Sequence, residues 1–510
     1  MVQRRMPLLI SAIVIVLIIA PYLFAVGMNS DGLVFEGFLI NPIDGHSYLA
    51  KMQQGFRGEW RFELPYTANA GSGAYLFLFY LGLGHLSRIL GLPLIIVFHG
   101  FRIIGAILLL RVLYLFNTRI FEKKREQNIG FMVSALGSGL GWIAIFAGMF
   151  TSDFWVAEAY PFLSMYTNPH FAIGLALMIL ILIPDRKTSL LVELVFGISL
   201  GVIQPFAVVI VLVVRTGSLI FEMIEGDNSG RRILNSPEIF PTAVFGLGGG
   251  AVLLYQYLSI ISDPVLSLWN AQNITQSPRL IDLAISLSPA LVFAALGLKK
   301  AWEDNRGRRL VIWAASSLIL VLIPWNLQRR FLTGIYVPLA GLSIYGLVKI
   351  RRAKEEAYRQ VVIALLVLAI PTNVIVIASG IQAAAKRDPK IYGQTDIYTG
   401  LEWIGEYASE EALILASEDV GLLIPSTTGR NVIYGHPFET VNAEQEKQFL
   451  KDILEKDQEA QFYNQNILLR EVDYLFLNRD VSKSLERWLA DSGVKLEYEN
   501  SLVRIFRVGQ

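Results

Sequence analysis

Apolar runs close to 20 residues long recur along the chain as far as about residue 380, separated by short polar segments. A helix needs about 20 apolar residues to cross the hydrocarbon core, so this is the pattern of a polytopic membrane protein. It predicts spans at about 7–26, 93–117, 129–150, 169–184, 189–203, 205–224, 239–260, 286–299, 310–324, 332–349 and 361–380, about eleven in all. Met1 to Arg5 followed by an apolar run is signal-like. However, the run from Pro7 to Val26 is long enough to span and shows no small-residue cleavage site, so a retained anchor is expected.

Charge fixes the orientation. Lys and Arg crowd Thr118–Arg125, Asp185-Arg186-Lys187, Arg231-Arg232, Lys299-Lys300 with Arg306–Arg309, and Lys349, Arg351, Arg352 and Lys354. These become the inner loops under the positive-inside rule, with Arg4 and Arg5 placing the start of the first span inside. A long outer loop then occupies 27–92. Its apolar part, 74–90, carries His85 and Arg88 and cannot be a crossing without breaking the parity, so it is expected to lie in the interface or to dip in and return. The fold class expected is a polytopic α-helical membrane domain, 1–382, with an α/β domain outside the cytoplasm at 383–510. In that last part 411–416, 431–434 and 472–477 read as short buried strands, alternating with helical patterns at about 397–408, 443–468 and 482–492. Such alternation implies a largely parallel sheet.

Composition narrows the function. The chain of 510 residues is 54% hydrophobic and 17% charged, with a formal net charge of +1. A nucleic-acid partner, which would need a basic face, is not expected. There is no cysteine, which rules out disulfides, thiolate nucleophiles and zinc–thiolate sites. Walker, dinucleotide-binding, zincin and nucleophile-elbow motifs are absent as well. Gly246–Gly250, in the seventh span, reads as a helix-packing surface.

Candidate chemistry gathers at the outer ends of the spans. Asn41-Pro42-Ile43-Asp44-Gly45-His46-Ser47-Tyr48 follows the first span, and Tyr48, Leu49, Met52 and Phe56 continue it at helical spacing. This puts Asp44 at the start of an amphipathic helix, either as its N-cap or as a reactive carboxylate, with His46 and Tyr48 as candidate substrate contacts. The loop after the third span holds Asp153, Trp155 and Glu158, read as a solvated loop or as metal and substrate ligands. His170, opening the fourth span, is either a satisfied interfacial polar group or part of the same site. Gln328, Arg329 and Arg330 lie between the ninth and tenth spans, where paired arginines run against the positive-inside tendency. A guanidinium fork suits a phosphate, which favours an anion site over snorkelling to headgroups. Gln204-Pro205 interrupts a helix pair, as a groove for a lipid or as a plain kink. In the C-terminal part, Ser417-Glu418-Asp419 and Tyr434-Gly435-His436-Pro437 fall at strand ends, where α/β ligand sites form, and read as such a site or as structural turns.

An outer-loop Asp directly after the first span, then Tyr, an amphipathic helix and Gly58-Glu59-Trp60, resembles the first-loop motif of the GT-C glycosyltransferase superfamily. The interfacial helices, the acidic second outer loop and the exported C-terminal domain are similar too. The resemblance implies transfer of a sugar from a polyprenyl-phosphate donor to a glycan, lipid or protein acceptor at the outer face of the plasma membrane. It matches the first-loop acid to Asp44 and the second-loop acids to Asp153 and Glu158, which would hold a divalent cation (Mg or Mn). Many members carry Asp followed by Glu in the first loop, whereas here Gly45 follows Asp44, one carboxylate fewer. Under this resemblance Asp44 takes the acceptor's proton, Arg329 and Arg330 neutralise the departing phosphate, and one displacement inverts the anomeric carbon. A transporter or flippase for a lipid-linked or anionic substrate is the alternative. The transferase reading expects Asp44, the two arginines and the second acidic turn to meet in one hollow at the non-cytoplasmic rim.

Overall fold

The computed structural model describes residues 2–184, 188–225, 236–353, 355–468 and 470–508. The basic segments Asp185-Arg186-Lys187 and Arg231-Arg232, and Lys354, lie outside the described residues. The chain divides into two compact units. One comprises Met1–Pro21, His99–Tyr255 and Thr275–Gln382, and the other Tyr22–Phe98, Gln256–Ile274 and Ala383–Gln510. The compositional change near residue 383 thus coincides with a unit boundary, but the C-terminal segment shares its unit with the first loop.

Among the described residues six helices are, by length and composition, apolar enough to cross a membrane, and eight are if each of two bent pairs counts as one span. The six are Arg5–Gly27, Leu94–Ile120, Pro205–Ile224, Ile239–Ser262, Gln328–Arg351 and Ala357–Ala385. The bent pairs are Lys124–Leu136 with Gly141–Ala147, at 43°, and Leu280–Ser286 with Ala290–Trp302, at 84°. Pro169–Leu182 and Leu190–Ile203, expected as spans, are apolar helices of 14 residues each. Leu78–Leu90, expected not to cross, is a 13-residue helix.

In the first unit the predicted packing role of the Gly246–Gly250 stretch is met by two of its members. A Cβ on Gly248 would lie 2.6 Å from the Leu194 carbonyl oxygen, and one on Gly249 2.6 Å from Val208 Cγ1. Missing side chains here let backbones approach, as in other tightly packed apolar bundles.

The second unit is built on a five-stranded sheet, ordered β4-β3-β5-β7-β6, with β3 Leu413–Ala416, β4 Asn431–Val432, β5 Tyr474–Asn478, β6 Lys495–Glu499 and β7 Val503–Arg507. The pairings β3–β4 and β3–β5 are parallel, as expected, while β5–β7 and β6–β7 are antiparallel. Side chains alternate between two buried faces. Ile414, Ala416, Phe476 and Ile505 pack with Leu401, Ile404, Val420 and Ile424 of the helices Thr395–Tyr407 and Glu418–Thr428. Leu415, Leu475, Leu477 and Phe506 pack with Leu450, Ile453, Leu485 and Trp488 of Ala443–Leu454 and Lys483–Asp491. Two strands outside this sheet, β1 Leu33–Phe35 and β2 Tyr392–Gln394, pair antiparallel and tie the first loop to the start of the C-terminal segment.

Onto the first face of the sheet layer comes the helix Pro42–Arg57, whose Ala50 joins the same apolar cluster as Val420 and Ile424. It enters through Asn41 in the left-handed region with Pro42 in its first turn, and ends at Gly58 at φ 115°. Both are ordinary boundary signals. This helix is enclosed by protein rather than presenting one open polar face. Gly45 to Ser47, Leu49 to Met52, Gln54 and Gly55 are all buried, enclosing it on most sides. The reason is close crossing with Leu78–Leu90. A Cβ on Gly55 would lie 2.0 Å from the Leu81 carbonyl oxygen, and one on Gly84 1.9 Å from that of Met52. Gly84→Ala is therefore expected to force the two helices apart at a cost of about 2 kcal/mol, the range for overpacked cores. Its melting temperature in detergent should fall clearly, whereas Gly82→Ala, with open space around its Cα, should change it little.

Candidate active site

Asp44 lies in the first turn of the Pro42–Arg57 helix, where the partial positive charge of the helix N-terminus favours a carboxylate. It is not the N-cap. That position belongs to Asn41, whose side-chain amide donates to Asp44 Oδ2. The Asp44 side chain is 41% exposed, which leaves one side of the carboxylate open. Gly45 lies beneath the Phe38 ring, 2.5 Å from where a Cβ would fall. The slot that would take a second carboxylate after Asp44 is thus filled by an aromatic ring.

Beside Asp44 stands His436, with Nε2 3.9 Å from Oδ1. His436 comes from the turn after β4 and is buried to 2% exposure. Its Nδ1 accepts the backbone N–H groups of Phe438 and Glu439, both at 3.1 Å. A ring nitrogen that accepts cannot carry a proton, so in the neutral imidazole the proton sits on Nε2. Burial lowers the His436 pKa, against the raising influence of Glu439 and Asp44. The same turn carries Glu439, whose Oε1 receives Lys51 Nζ at 2.6 Å and the Ser47 hydroxyl. Burial would raise the Glu439 pKa, but Lys51 and then His436 override it and hold the carboxyl below its usual range. Lys51 is fully buried and also donates to Ser47 Oγ at 2.6 Å, with its ammonium 4.6 Å from the centre of the Phe77 ring.

His46 and Tyr48, expected as substrate contacts, have partners within this unit. His46 Nδ1 is 3.2 Å from Ser426 Oγ and Nε2 is 3.3 Å from Glu36 Oε2, so both ring nitrogens are engaged. Tyr48 stacks on Tyr80, ring centres 4.4 Å apart. Lys51, Glu439 and Glu36 escaped sequence reasoning, and His436 was read there as part of a strand-end turn or ligand site. The one local signal was a lysine set among the apolar positions of the Pro42–Arg57 helix.

The other expected residues belong to the first unit, and four of them come together there. Glu158 Oε1 is 3.4 Å from Arg330 Nη1 and 4.0 Å from Arg329 Nε, and the Arg329 guanidinium lies 4.8 Å from the Trp155 ring centre. The short helix Gln328–Leu332 is tied down by the Gln328 side chain, which accepts the Ser277 N–H, and by Thr333. Thr333 Oγ1 accepts Gln204 Nε2 at 3.3 Å, while Gln204 Oε1 is buried with no hydrogen-bond partner. Gly334 N–H donates to the Glu158 carbonyl at 2.8 Å, completing the link between the second acidic turn and the arginines. Asp153 stands apart from that cluster chemically. It is fully buried, with Oδ2 accepting the Gly141 N–H at 3.0 Å and Oδ1 the Thr151 hydroxyl at 2.6 Å. Burial raises its pKa, opposed by those hydrogen bonds. The His170 ring lies against Phe171, centres 4.0 Å apart.

A divalent cation does not fit the donors expected for it. Asp153 is engaged by protein donors and Glu158 by guanidinium groups, and Asp44 has no carboxylate after it. Among the described residues no group of three or more His, Asp or Glu side chains is arranged to hold a metal ion.

No family model matches the sequence, and no curated protein matches it either. Solved structures do. An oligosaccharyltransferase from Archaeoglobus fulgidus in its apo form matches with a TM-score of 0.56 at 14% identity, over 100% of this chain and 74% of that one. The archaeal oligosaccharyltransferase AglB from the same organism, in complex with an inhibitory peptide and a dolichol-phosphate, gives 0.51 at 13%, over 91% and 69%. ArnT from Cupriavidus metallidurans in the apo state gives 0.50 at 10%, over 98% and 97%. The chain has the GT-C fold.

Two outcomes follow from the buried charges. Lys51→Met leaves Glu439 without its cation and is expected to destabilise by about 3–5 kcal/mol, as for other broken buried pairs. Lys51→Met with Glu439→Leu should recover much of that loss in a denaturant or thermal melt. As for pH, the folded protein resists protonating His436, while the unfolded chain takes the proton near 6.5. Stability from this group is thus full above pH 6.5 and declines as pH falls below it, and His436→Phe should flatten that part of the melting-temperature profile.

Proposed function

We propose that this protein is a membrane glycosyltransferase that moves a sugar from a polyprenyl-phosphate donor to an acceptor on the extracytoplasmic face, with inversion. The observation that carries the reading is Asp44, a half-exposed carboxylate with no Lys or Arg partner among the described residues, whose only charged-pair neighbour is a neutral histidine. The surrounding charges are spent on each other, Lys51 on Glu439 and His46 on Glu36. An acid kept available in this way suits a general base. The GT-C fold supports the choice of chemistry, and the AglB complex with a dolichol-phosphate supports the class of donor. The topology that goes with this reading is about eleven spans in the plasma membrane, with the C-terminal segment outside.

In the proposed reaction the acceptor hydroxyl oxygen attacks the anomeric carbon opposite the lipid phosphate. The bond from that carbon to the phosphate oxygen breaks, the hydroxyl proton passes to Asp44, and the lipid phosphate departs with the electron pair. Phosphate is a weakly basic leaving group, so no general acid is required. Arg329 and Arg330, both beside Glu158, are assigned the role of countering the charge growing on it, because guanidinium groups suit a phosphate. Asp153 holds its loop on Gly141 and Thr151, and no step runs through a metal ion.

A transporter or flippase for an anionic lipid is the second reading, favoured by the buried pair of Arg215 Nη1 and Glu193 Oε2, 2.9 Å apart between Leu190–Ile203 and Pro205–Glu225. Purified protein incubated with a panel of polyprenyl-phosphate sugars decides between them. The transferase releases lipid phosphate and a transporter does not. Asp44→Asn is expected to lower kcat by about 10²–10⁴-fold with the fold intact. Arg330→Ala should cost about 10²-fold, with part of the loss in KM for the lipid donor. Unchanged turnover in Asp44→Asn would remove it from the base role.

A further inference from the structure

His436 is the feature of the second unit that neither packing nor the reaction above has used. Its Nδ1 is saturated by two backbone N–H groups, so its proton points from Nε2 toward Asp44. That Nε2 is buried from solvent and has no hydrogen-bond partner. A substrate atom cannot reach a nitrogen that solvent cannot touch, so the one acceptor within range is Asp44 Oδ1 at 3.9 Å. The gap is about 1 Å longer than an ordinary N–H···O hydrogen bond, and active-site hydrogen bonds commonly tighten when substrate binds. The Asp44 carboxylate is held on its other oxygen by Asn41.

We propose that His436 is the positioning residue for Asp44: its Nε2–H closes on Oδ1 and, with Asn41 on Oδ2, fixes the carboxylate plane so that the open lone pair faces the acceptor hydroxyl. This rests on the base role given to Asp44. It assigns the C-terminal segment a part in the chemistry, because the turn after β4 supplies the group that aims the base. His436 donates a hydrogen bond and neither takes nor relays the substrate proton, since its accepting nitrogen is occupied. The charged and titratable groups facing the ring are Glu439, Asp44 and Lys51, with the Tyr66 ring beside it at 5.5 Å between centres.

The test uses the full-length protein in detergent or nanodiscs. His436→Phe keeps a ring and removes the donor. It is expected to lower kcat by about 100-fold, the loss that follows a misplacement of about 1 Å, with KM for donor and acceptor unchanged. The acid limb of its kcat–pH profile should move to higher pH, because a carboxylate that has lost a hydrogen-bond donor protonates more readily. His436→Gln, which can place an amide N–H near the Nε2 position, should restore about a tenth or more of wild-type kcat, and His436→Leu, which also lacks the donor, takes the place of the Phe variant if that one fails to fold. Wild-type kcat and an unmoved acid limb in a folded variant that lacks the donor, His436→Phe or His436→Leu, overturn the proposal. A double-mutant cycle of melting temperature between Asp44→Ala and His436→Leu, each of which removes the contact, keeps the link testable apart from turnover. Non-additivity supports the Asp44–His436 contact even if no donor sugar is transferred, and strict additivity sinks it even if transfer is observed.

Discussion

Lys51 carries a charge that no water reaches, and the second unit depends on satisfying it. An isolated buried ammonium is costly enough that its surroundings must supply partners. Those partners are Glu439 and Ser47 at one end and the faces of Phe77, Phe62 and Tyr48 around it. Glu439 can serve only if the turn after β4 folds back onto the Pro42–Arg57 helix. In doing so the turn aims the Phe438 and Glu439 N–H groups at His436 Nδ1. The tautomer of His436, and hence the donor that faces Asp44, is therefore set by a lysine seven residues further along the helix that carries Asp44.

The same dependence explains why the crossing of that helix with Leu78–Leu90 is so close. Gly55 and Gly84 remove the side chains that would hold the two backbones apart, and Phe77, just before the second helix, then reaches the ammonium. The sheet supplies the opposite wall through Val420 and Ile424. With helix, sheet layer and turn fixed in this way, Asp44 is left at the rim of a rigid block. A base on a rigid support is more accurately placed than one on a loop.

Much of this architecture was legible in the chain. Long apolar runs marked the six longest helices, and unbroken apolar stretches such as Leu413–Ala416 and Tyr474–Asn478 marked the buried parallel strands. The antiparallel strands Lys495–Glu499 and Val503–Arg507 were not picked out, although the alternation of charged and apolar residues in the first is itself a strand signal. Charge parity gave a count of spans but said nothing of their geometry. Proline and glycine bend two of them, and the chain breaks at Gln204 between two helices. Asp44 was visible from its local motif, yet its helix was read as amphipathic when it is enclosed almost all round. Its partners could not be read, since Glu439 lies 388 residues from Lys51 and no local pattern joins them. A histidine flanked by glycine and proline looks like a turn, and His436 is indeed in one. Its burial and tautomer exist only in the folded state.

The two units solve opposite electrostatic problems, and the contrast bears on the proposed chemistry. Near Asp44, Lys51 is paired with Glu439, and among the described residues no Lys or Arg pairs with Asp44, as the proposed base role requires. Around Glu158 two guanidinium groups lie beside one carboxylate, and guanidinium groups suit a phosphate. Had Glu158 been apolar, the pair would bind an anion more tightly, but product release would suffer, because a lipid phosphate is as good a ligand as the donor it came from. A carboxylate that competes for the same guanidinium groups weakens both bound states. It leaves net stabilisation where the charge on the departing oxygen is greatest, and only such a difference between ground and transition states accelerates the reaction.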